Sequence, residues 1–190
     1  MILSNIEIQK AIDDHRLIIE PEPLPRRLAP GVEYCPYNTH SVDLKLHNEI
    51  SVPQSGAFSY DLMQVGSVSD VLEKHSKRYT LTDDQPYSLK PHQFILARTL
   101  ERVALPTIKK PYLAARIEGK SSRARCGILV HFTAPTVHPD WKGPLTLEII
   151  NLGPSIFILG PGMPIAQLII EQVLGDIIPN PSQFQNQSTP

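Results

Sequence analysis

No charge of either sign dominates this sequence of 190 residues: 18 Lys and Arg stand against 19 Asp and Glu, for a net charge of -1. A dedicated nucleic-acid binder normally carries a basic excess or stripe, so that class is not expected. Cysteine is scarce. Cys35 and Cys126 stand too far apart in sequence for a C-x-x-C metal or redox motif, and they read as reduced thiols of a cytosolic protein. No apolar run approaches the roughly 18 residues of a membrane span. The first residues also lack the basic segment and hydrophobic stretch of a secretory signal. The expectation is a soluble cytoplasmic chain with neither a nucleic acid nor a membrane as partner. Glycine is limited to 10 residues while proline reaches 19. Because proline donates no backbone hydrogen bond and breaks helix interiors, long helices are excluded and many short strands joined by turns are favoured. The length suits one domain with a single core.

Along the chain, only the start reads as a helix. Ser4 followed by Glu7 is a capping-box pattern, and Ile8, Ala11 and Ile12 then share a face, with an end expected near His15 or Arg16. Pro21, Pro23, Pro25, Pro30 and Pro36 mark a long irregular connection. From Ser41 the pattern becomes β: Val42, Leu44 and Leu46 alternate with Asp43 and Lys45, and Phe94 to Ala97 form a short apolar run. Further strands are expected over 112–117, 127–133, 144–151, 155–159 and 164–173. Pro91, Pro106, Pro139, Pro144 and Pro161 fall between these candidates or at their edges. Residues 63–78 admit either a short helix capped by Ser69 and running through Lys77 or an ordered loop. The polar end beyond Pro179 reads as a frayed tail or a lid that closes on a ligand. No repeat and no linker interrupts the chain. One domain is expected over 1–190, with a helix and proline-rich connection over 1–40, a β core over 41–175 and a tail over 176–190. Sandwich, jelly roll and small barrel all fit this spacing.

The densest polar cluster runs from Glu118 through Gly119, Lys120, Ser121, Ser122, Arg123 and Ala124 to Arg125. It is not a P-loop, because that motif needs a glycine where Ala114 stands. Two hydroxyls, backbone N–H groups and three cations suit phosphate, and they equally suit a solvated turn. In the strand around Glu148, Leu145, Leu147 and Ile149 share one face while Thr146, Glu148 and Ile150 share the other. Glu148 is therefore either an exposed strand residue or a general base in a pocket that raises its pKa. His131 and His138 are seven residues apart, with no third ligand at a persuasive spacing. His131 reads as a hydrogen-bonded core histidine, and Trp141 as a core residue or a platform for a sugar or base.

Taken in chain order, these segments resemble the dCTP deaminases of the deoxyuridine triphosphatase superfamily. The resemblance rests on Met1-Ile2-Leu3-Ser4, Ser41-Val42-Asp43-Leu44, Leu89-Lys90-Pro91, Glu118-Gly119-Lys120-Ser121-Ser122 with Ala124-Arg125, and His131-Phe132-Thr133-Ala134. It continues through Pro139 with Trp141 and Gly143, Leu147-Glu148, Asn151, Pro161-Gly162-Met163 and Gln167-Leu168. It implies a mainly β fold, a distorted β-barrel or jelly roll with a short N-terminal helix. It also implies a homotrimer with sites between subunits, Mg²⁺ arriving with the triphosphate, and dTTP as a candidate effector. The implied reaction is hydrolytic deamination of dCTP to dUTP and ammonia, without zinc and with no resident metal. Zinc nucleobase deaminases need H-x-E and P-C-x-x-C, and neither motif is expected in this chain.

By the same resemblance Glu148 is general base and acid at C4, N3 and the leaving ammonia, and Ser121 and Arg125 position the water. Lys120, Ser121 and Ser122 meet the phosphates, with Arg123, Ala124 and Arg125 in the same turn. Ala134, Val137, His138, Trp141, Thr146 and Leu147 line sugar and base, and Gln167 and Gln187 lie by the nucleotide. Four departures stand out: His138 where the family has Asp, Asp140 where it has Gly, Arg123 where it has Leu, and a shortened tail around Phe184-Gln185-Asn186-Gln187 without the family's Tyr and Lys. Each lost charged hydrogen bond is worth about 1.5–3 kcal/mol, which Arg123 can offset. A bifunctional enzyme forming dUMP and pyrophosphate and a noncatalytic nucleotide-binding relative are the alternatives. His138, a poor substitute for an anionic water-holder, argues against the bifunctional one.

Overall fold

The computed structural model describes residues 1–56, 61, 63, 72–178 and 180. Ser69 and Gln187 lie outside the described residues, as does most of the tail. The fold is mainly β: a curled antiparallel sheet behind one short N-terminal helix.

Helix α1 (Asn5–Asp13) starts where the capping box puts it, with the Ser4 hydroxyl accepting from the Glu7 N–H at 3.3 Å. Its buried face carries Ile8 and Ala11. It stops at Asp13, two residues earlier than expected, and His15 turns the chain with a φ of 56°. Strand β1 (Ile18–Glu20) follows, then β2 (Val42–Pro53), β3 (Ser76–Thr80), β4 (Tyr87–Leu89), β5 (Phe94–Ala104) and β6 (Leu113–Gly119). A single helical turn, α2 (Ser121–Ala124), separates β6 from β7 (Ile128–Leu129), β8 (Thr136–Val137), β9 (Lys142–Asn151), β10 (Phe157–Leu159) and β11 (Pro164–Gln172).

The main sheet runs β7-β9-β5-β2-β11-β6-β8, with β1 added to β5 and β3 to β2, while β10 and β4 pair separately. The curl follows from β2, which pairs with β11 along its first residues and with β5 and β3 along its last. Period-two alternation puts Leu44, Leu46, Ile95, Ala97, Leu147, Ile149, Leu168 and Ile170 in one fully buried core.

Three expectations change. Lys77 belongs to β3, opposite Val52, and only 72–74 are helical among the described residues of 63–78. Of 127–133, only Ile128–Leu129 is strand: the segment meets the last two residues of β9 and then leaves the ladder. Pro144 lies inside β9 rather than at its edge. It has no N–H to give to β5, and the β5–β9 register shifts beside it between Arg98 and Arg102. The buried Thr99 hydroxyl takes up the slack, accepting from the Leu145 N–H at 2.9 Å and donating to the Glu101 carbonyl at 2.7 Å.

Candidate active site

The face of β9 opposite the core carries Thr146, Glu148 and Ile150, each partly exposed. Strand β5 sets Arg98, Leu96 and Phe94 directly across from them, within the roughly 5 Å at which facing side chains interact. On the other side, Ile128 pairs with Asn151 and Leu129 with Ile150. Continuing that register by two residues puts His131 opposite Glu148. The His131 Nδ1 lies 2.8 Å from the Glu148 Oε2. The two atoms are at ion-pair distance, and among the described residues both ring nitrogens and that carboxylate oxygen are buried without a hydrogen-bond partner. Native proteins rarely leave buried polar atoms so, which singles out this acid–imidazole pair as a candidate site. His131 is thus buried as its sequence context predicts, but facing a carboxylate rather than satisfied within the core.

An apolar shelf flanks Glu148 on one side, where Phe94 and Phe132 stack with centroids 5.7 Å apart. On the other side Arg98 donates to Glu49 at 2.5 Å and to the His47 Nδ1 at 3.2 Å. His47, Asn48 and Glu49 do have the H-x-E spacing, but both side chains are engaged with Arg98 on β5. Among the described residues no cluster of three or more His, Cys, Asp or Glu could hold a metal.

The Lys120–Arg125 turn is tied to the end of the Glu148 strand by two glycines. A Cβ on Gly127, whose φ is +96°, would sit 2.4 Å from the Gly153 nitrogen, and one on Gly153 would sit 2.2 Å from the Cys126 carbonyl oxygen. Two backbones that close leave no room for any side chain. The Leu152 N–H donates to the Gly127 carbonyl at 2.7 Å. The buried amide of Asn151 locks the neighbouring turn, accepting from the Gly153 N–H at 2.9 Å and donating to the Ser155 and Leu89 carbonyls. Asn151, one of the residues carrying the family resemblance, thereby acquires a structural role that spacing could not show.

Within the turn, Ser121, Ser122, Ala124 and Arg125 are exposed. The Arg123 Nε donates to the Pro164 carbonyl at 3.0 Å, which tethers the turn to β11. Gln167 uses both ends of its amide on protein, accepting from Ser41 at 3.1 Å and donating to the Gly119 carbonyl at 3.2 Å. It holds the entrance of the turn. The side chains of Val137 and Leu147 lie in the core, so a ligand can meet these residues only through their backbone. Ala134 and His138 are exposed. Trp141 packs partly buried against the core and donates to the Gly143 carbonyl at 3.2 Å. Asp140, where the family has Gly, has a φ of 68°, a conformation that Asp tolerates better than most residues. A cleft of about 600 Å³ beside α1 has Asp43 and Lys120 in its wall but not Glu148. Periodicity alone did not reveal Arg98 as a neighbour of the site, since nothing in its local sequence marks the register that brings it there.

This carboxylate–imidazole pair on a curled, mainly β sheet lies beside a turn of hydroxyls and cations, and the chain is a hydrolase. A model of the dCTP deaminase-like family matches residues 2–173, and the chain belongs to that family. Similar proteins include the dCTP deaminase of Thermomicrobium roseum, 36% identical over 174 residues that span 91% of this chain and 80% of that one. The dUMP-forming dCTP deaminase of Methanosphaera stadtmanae is 32% identical over 176 residues, 90% of this chain and 78% of that one. The crystal structure of 2'-deoxycytidine 5'-triphosphate deaminase from Agrobacterium tumefaciens superposes on 90% of this chain with a TM-score of 0.65 at 19% identity. This chain spans only 48% of that protein, and the likeness is one of fold.

Proposed function

We propose that this chain hydrolyses dCTP to dUTP and ammonia, with Glu148 as its general base and acid. The observation that carries the reading is the half-buried Glu148 carboxylate, whose Oε2 faces His131 and has no hydrogen-bond donor among the described residues. In this reading Glu148 takes a proton from a water attacking C4 and passes it to N3, then takes the remaining hydroxyl proton of the tetrahedral intermediate and passes it to the amino group, which leaves as ammonia as the C4 carbonyl forms. Ser121 and Arg125 hold the water and balance the charge that develops. Lys120, Ser121 and Ser122 meet the phosphates, with Arg123 as an anchor of their turn, and Mg²⁺ comes with the triphosphate as part of the substrate. Ala134, Val137, His138, Trp141, Thr146, Leu147 and Gln167 surround sugar and base directly or through backbone, and Gln187 approaches from the tail. Among the described residues Ser121, Ser122 and Arg125 make no side-chain hydrogen bond or ion pair. Donors left open this way suit a site completed by a second copy, in keeping with a homotrimer. A cytoplasmic location and regulation by dTTP belong to the same reading.

The test offers dCTP, CTP, dCMP and dUTP in parallel and separates the products by nucleotide chromatography. Ammonia and dUTP from dCTP are expected. Glu148→Gln should reduce turnover by at least 10²- to 10⁴-fold, the usual worth of a general acid–base group, while leaving the fold intact. No turnover by the wild type at high enzyme concentration overturns the reading. A second reading, release of dUMP and pyrophosphate, is favoured by the names of two relatives, those of Methanosphaera stadtmanae and Nanoarchaeum equitans. His138 in place of an acid weighs against it, and pyrophosphate release decides between them.

A further inference from the structure

Asp43 sits on β2 with its side chain 2% exposed, and a carboxylate that deep needs compensation from every side. Among the described residues it has three donors. The Tyr34 hydroxyl donates to its Oδ2 at 2.6 Å, the Asn38 amide to its Oδ1 at 3.0 Å, and the Lys120 ammonium also pairs with Oδ2. Its backbone N–H donates to the Pro36 carbonyl at 2.8 Å, which stitches the proline-rich connection to the same point. Lys120 is the N-cap residue of α2 but makes no side-chain cap bond to it. Its ammonium is directed backward to Asp43 instead. Directly across from Asp43 on β11 stands Gln167, whose amide grips the Gly119 carbonyl. One cross-strand pair therefore fixes the two residues at which the chain enters the Lys120–Arg125 turn. Burial and the Asp43 carboxylate both push the Tyr34 hydroxyl pKa up, so Tyr34 remains a donor.

Resting on the reading that this turn holds the phosphates, we infer that Asp43, supported by Tyr34 and Asn38, is a positioning residue that sets Lys120 and the turn for the nucleotide's phosphates. The sign of the effect separates this from simple charge balance. If Asp43 only offset Lys120, removing its negative charge would leave the site more positive and tighten triphosphate binding. If it positions Lys120, the same change loosens binding.

The experiment measures binding of dCTP and dCMP by titration calorimetry to the wild type, Asp43→Asn and Tyr34→Phe, with thermal unfolding as a fold control. Asp43→Asn should weaken dCTP binding roughly tenfold, the scale of one charged hydrogen bond. Tyr34→Phe, which removes one hydroxyl donor and no charge, should move it the same way by a smaller factor. The loss should shrink with dCMP, which lacks the outer phosphates, whereas a merely structural defect would weaken both nucleotides alike. Tighter or unchanged dCTP binding in Asp43→Asn overturns the inference, as does equal loss for the two nucleotides or absence of dCTP binding to the wild type. If Asp43→Asn fails to fold, Tyr34→Phe decides by the same criteria. Ammonia release by the wild type, assayed separately, reports on the proposed reaction and not on this role.

Discussion

Replacing Gly127 by alanine should damage both stability and activity, because this residue closes the joint between the Lys120–Arg125 turn and the strand of Glu148. Its φ is +96°, and a Cβ there would lie 2.4 Å from the Gly153 nitrogen and 2.6 Å from its Cα. The backbone conformation costs an L-residue about 1–2 kcal/mol. Forcing apart two packed backbones adds about 1–3 kcal/mol, so a central value of about 3 kcal/mol is expected. In a chain of this size that corresponds to a fall in Tm of roughly 6–12 °C. Gly153→Ala should show the overlap cost without the positive-φ cost, since its Cβ meets the Cys126 carbonyl oxygen at 2.2 Å. Gly160→Ala, with no described residue within 4 Å of the added carbon, is the control and should behave as wild type. Displacing the turn by about 1 Å relative to Glu148 can cost a reaction on the order of 10²-fold, so kcat/KM for ammonia release from dCTP should fall by that order in a still-folded variant. Calorimetric unfolding and an ammonia assay read the two effects. If Gly127→Ala and Gly153→Ala match Gly160→Ala in both Tm and kcat/KM, the argument that this contact fixes the site is wrong.

Two further outcomes follow from buried polar groups. Thr99→Val removes the acceptor of the Leu145 N–H beside Pro144 and should cost about 1–3 kcal/mol through the orphaned donor, read as a shift of the urea midpoint; a neutral result would mean that the β5–β9 bulge satisfies itself otherwise. Burial pushes the Glu101 carboxyl pKa up, partly offset by the Lys45 N–H that it accepts. The folded chain therefore holds that proton more tightly than the unfolded one, and the associated stability, present below the ordinary value of 4.5, is lost as pH rises through the raised one. Glu101→Gln should gain on the wild type across that window in urea titrations, and a pH-independent difference would refute the assignment.

Much of the fold was legible because two periodicities are strong here. The capping box at Ser4 and Glu7 located α1, and alternation around Glu148 assigned the faces of β9 correctly. Strands such as Ile18–Glu20 and Thr136–Val137 were not legible, since two or three residues are too few to show a period and each exists only because a neighbour supplies the ladder. The turn at Lys120–Arg125 could be read as polar and cationic, but not as tied to Asp43, because that partner is 77 residues away. The pairing of His131 with Glu148 was hidden for the same reason: it depends on the register of β7 against β9, and register is set by the whole sheet.

The sequence by itself determined the balance of charge, the scarcity of cysteine, the exclusion of long helices by proline, and the family, since each depends on composition or on residues in linear order. Only the tertiary structure decided what the chosen side chains face. It turned the side chains of Val137 and Leu147 into the core, engaged Gln167 and Arg123 in bracing a turn, set one buried oxygen of Glu148 beside His131, and made Asp43 the anchor of Lys120. The physical reason is common to all four: hydrogen bonds and burial act over a few ångströms in space, and only folding brings strands distant in sequence within that range.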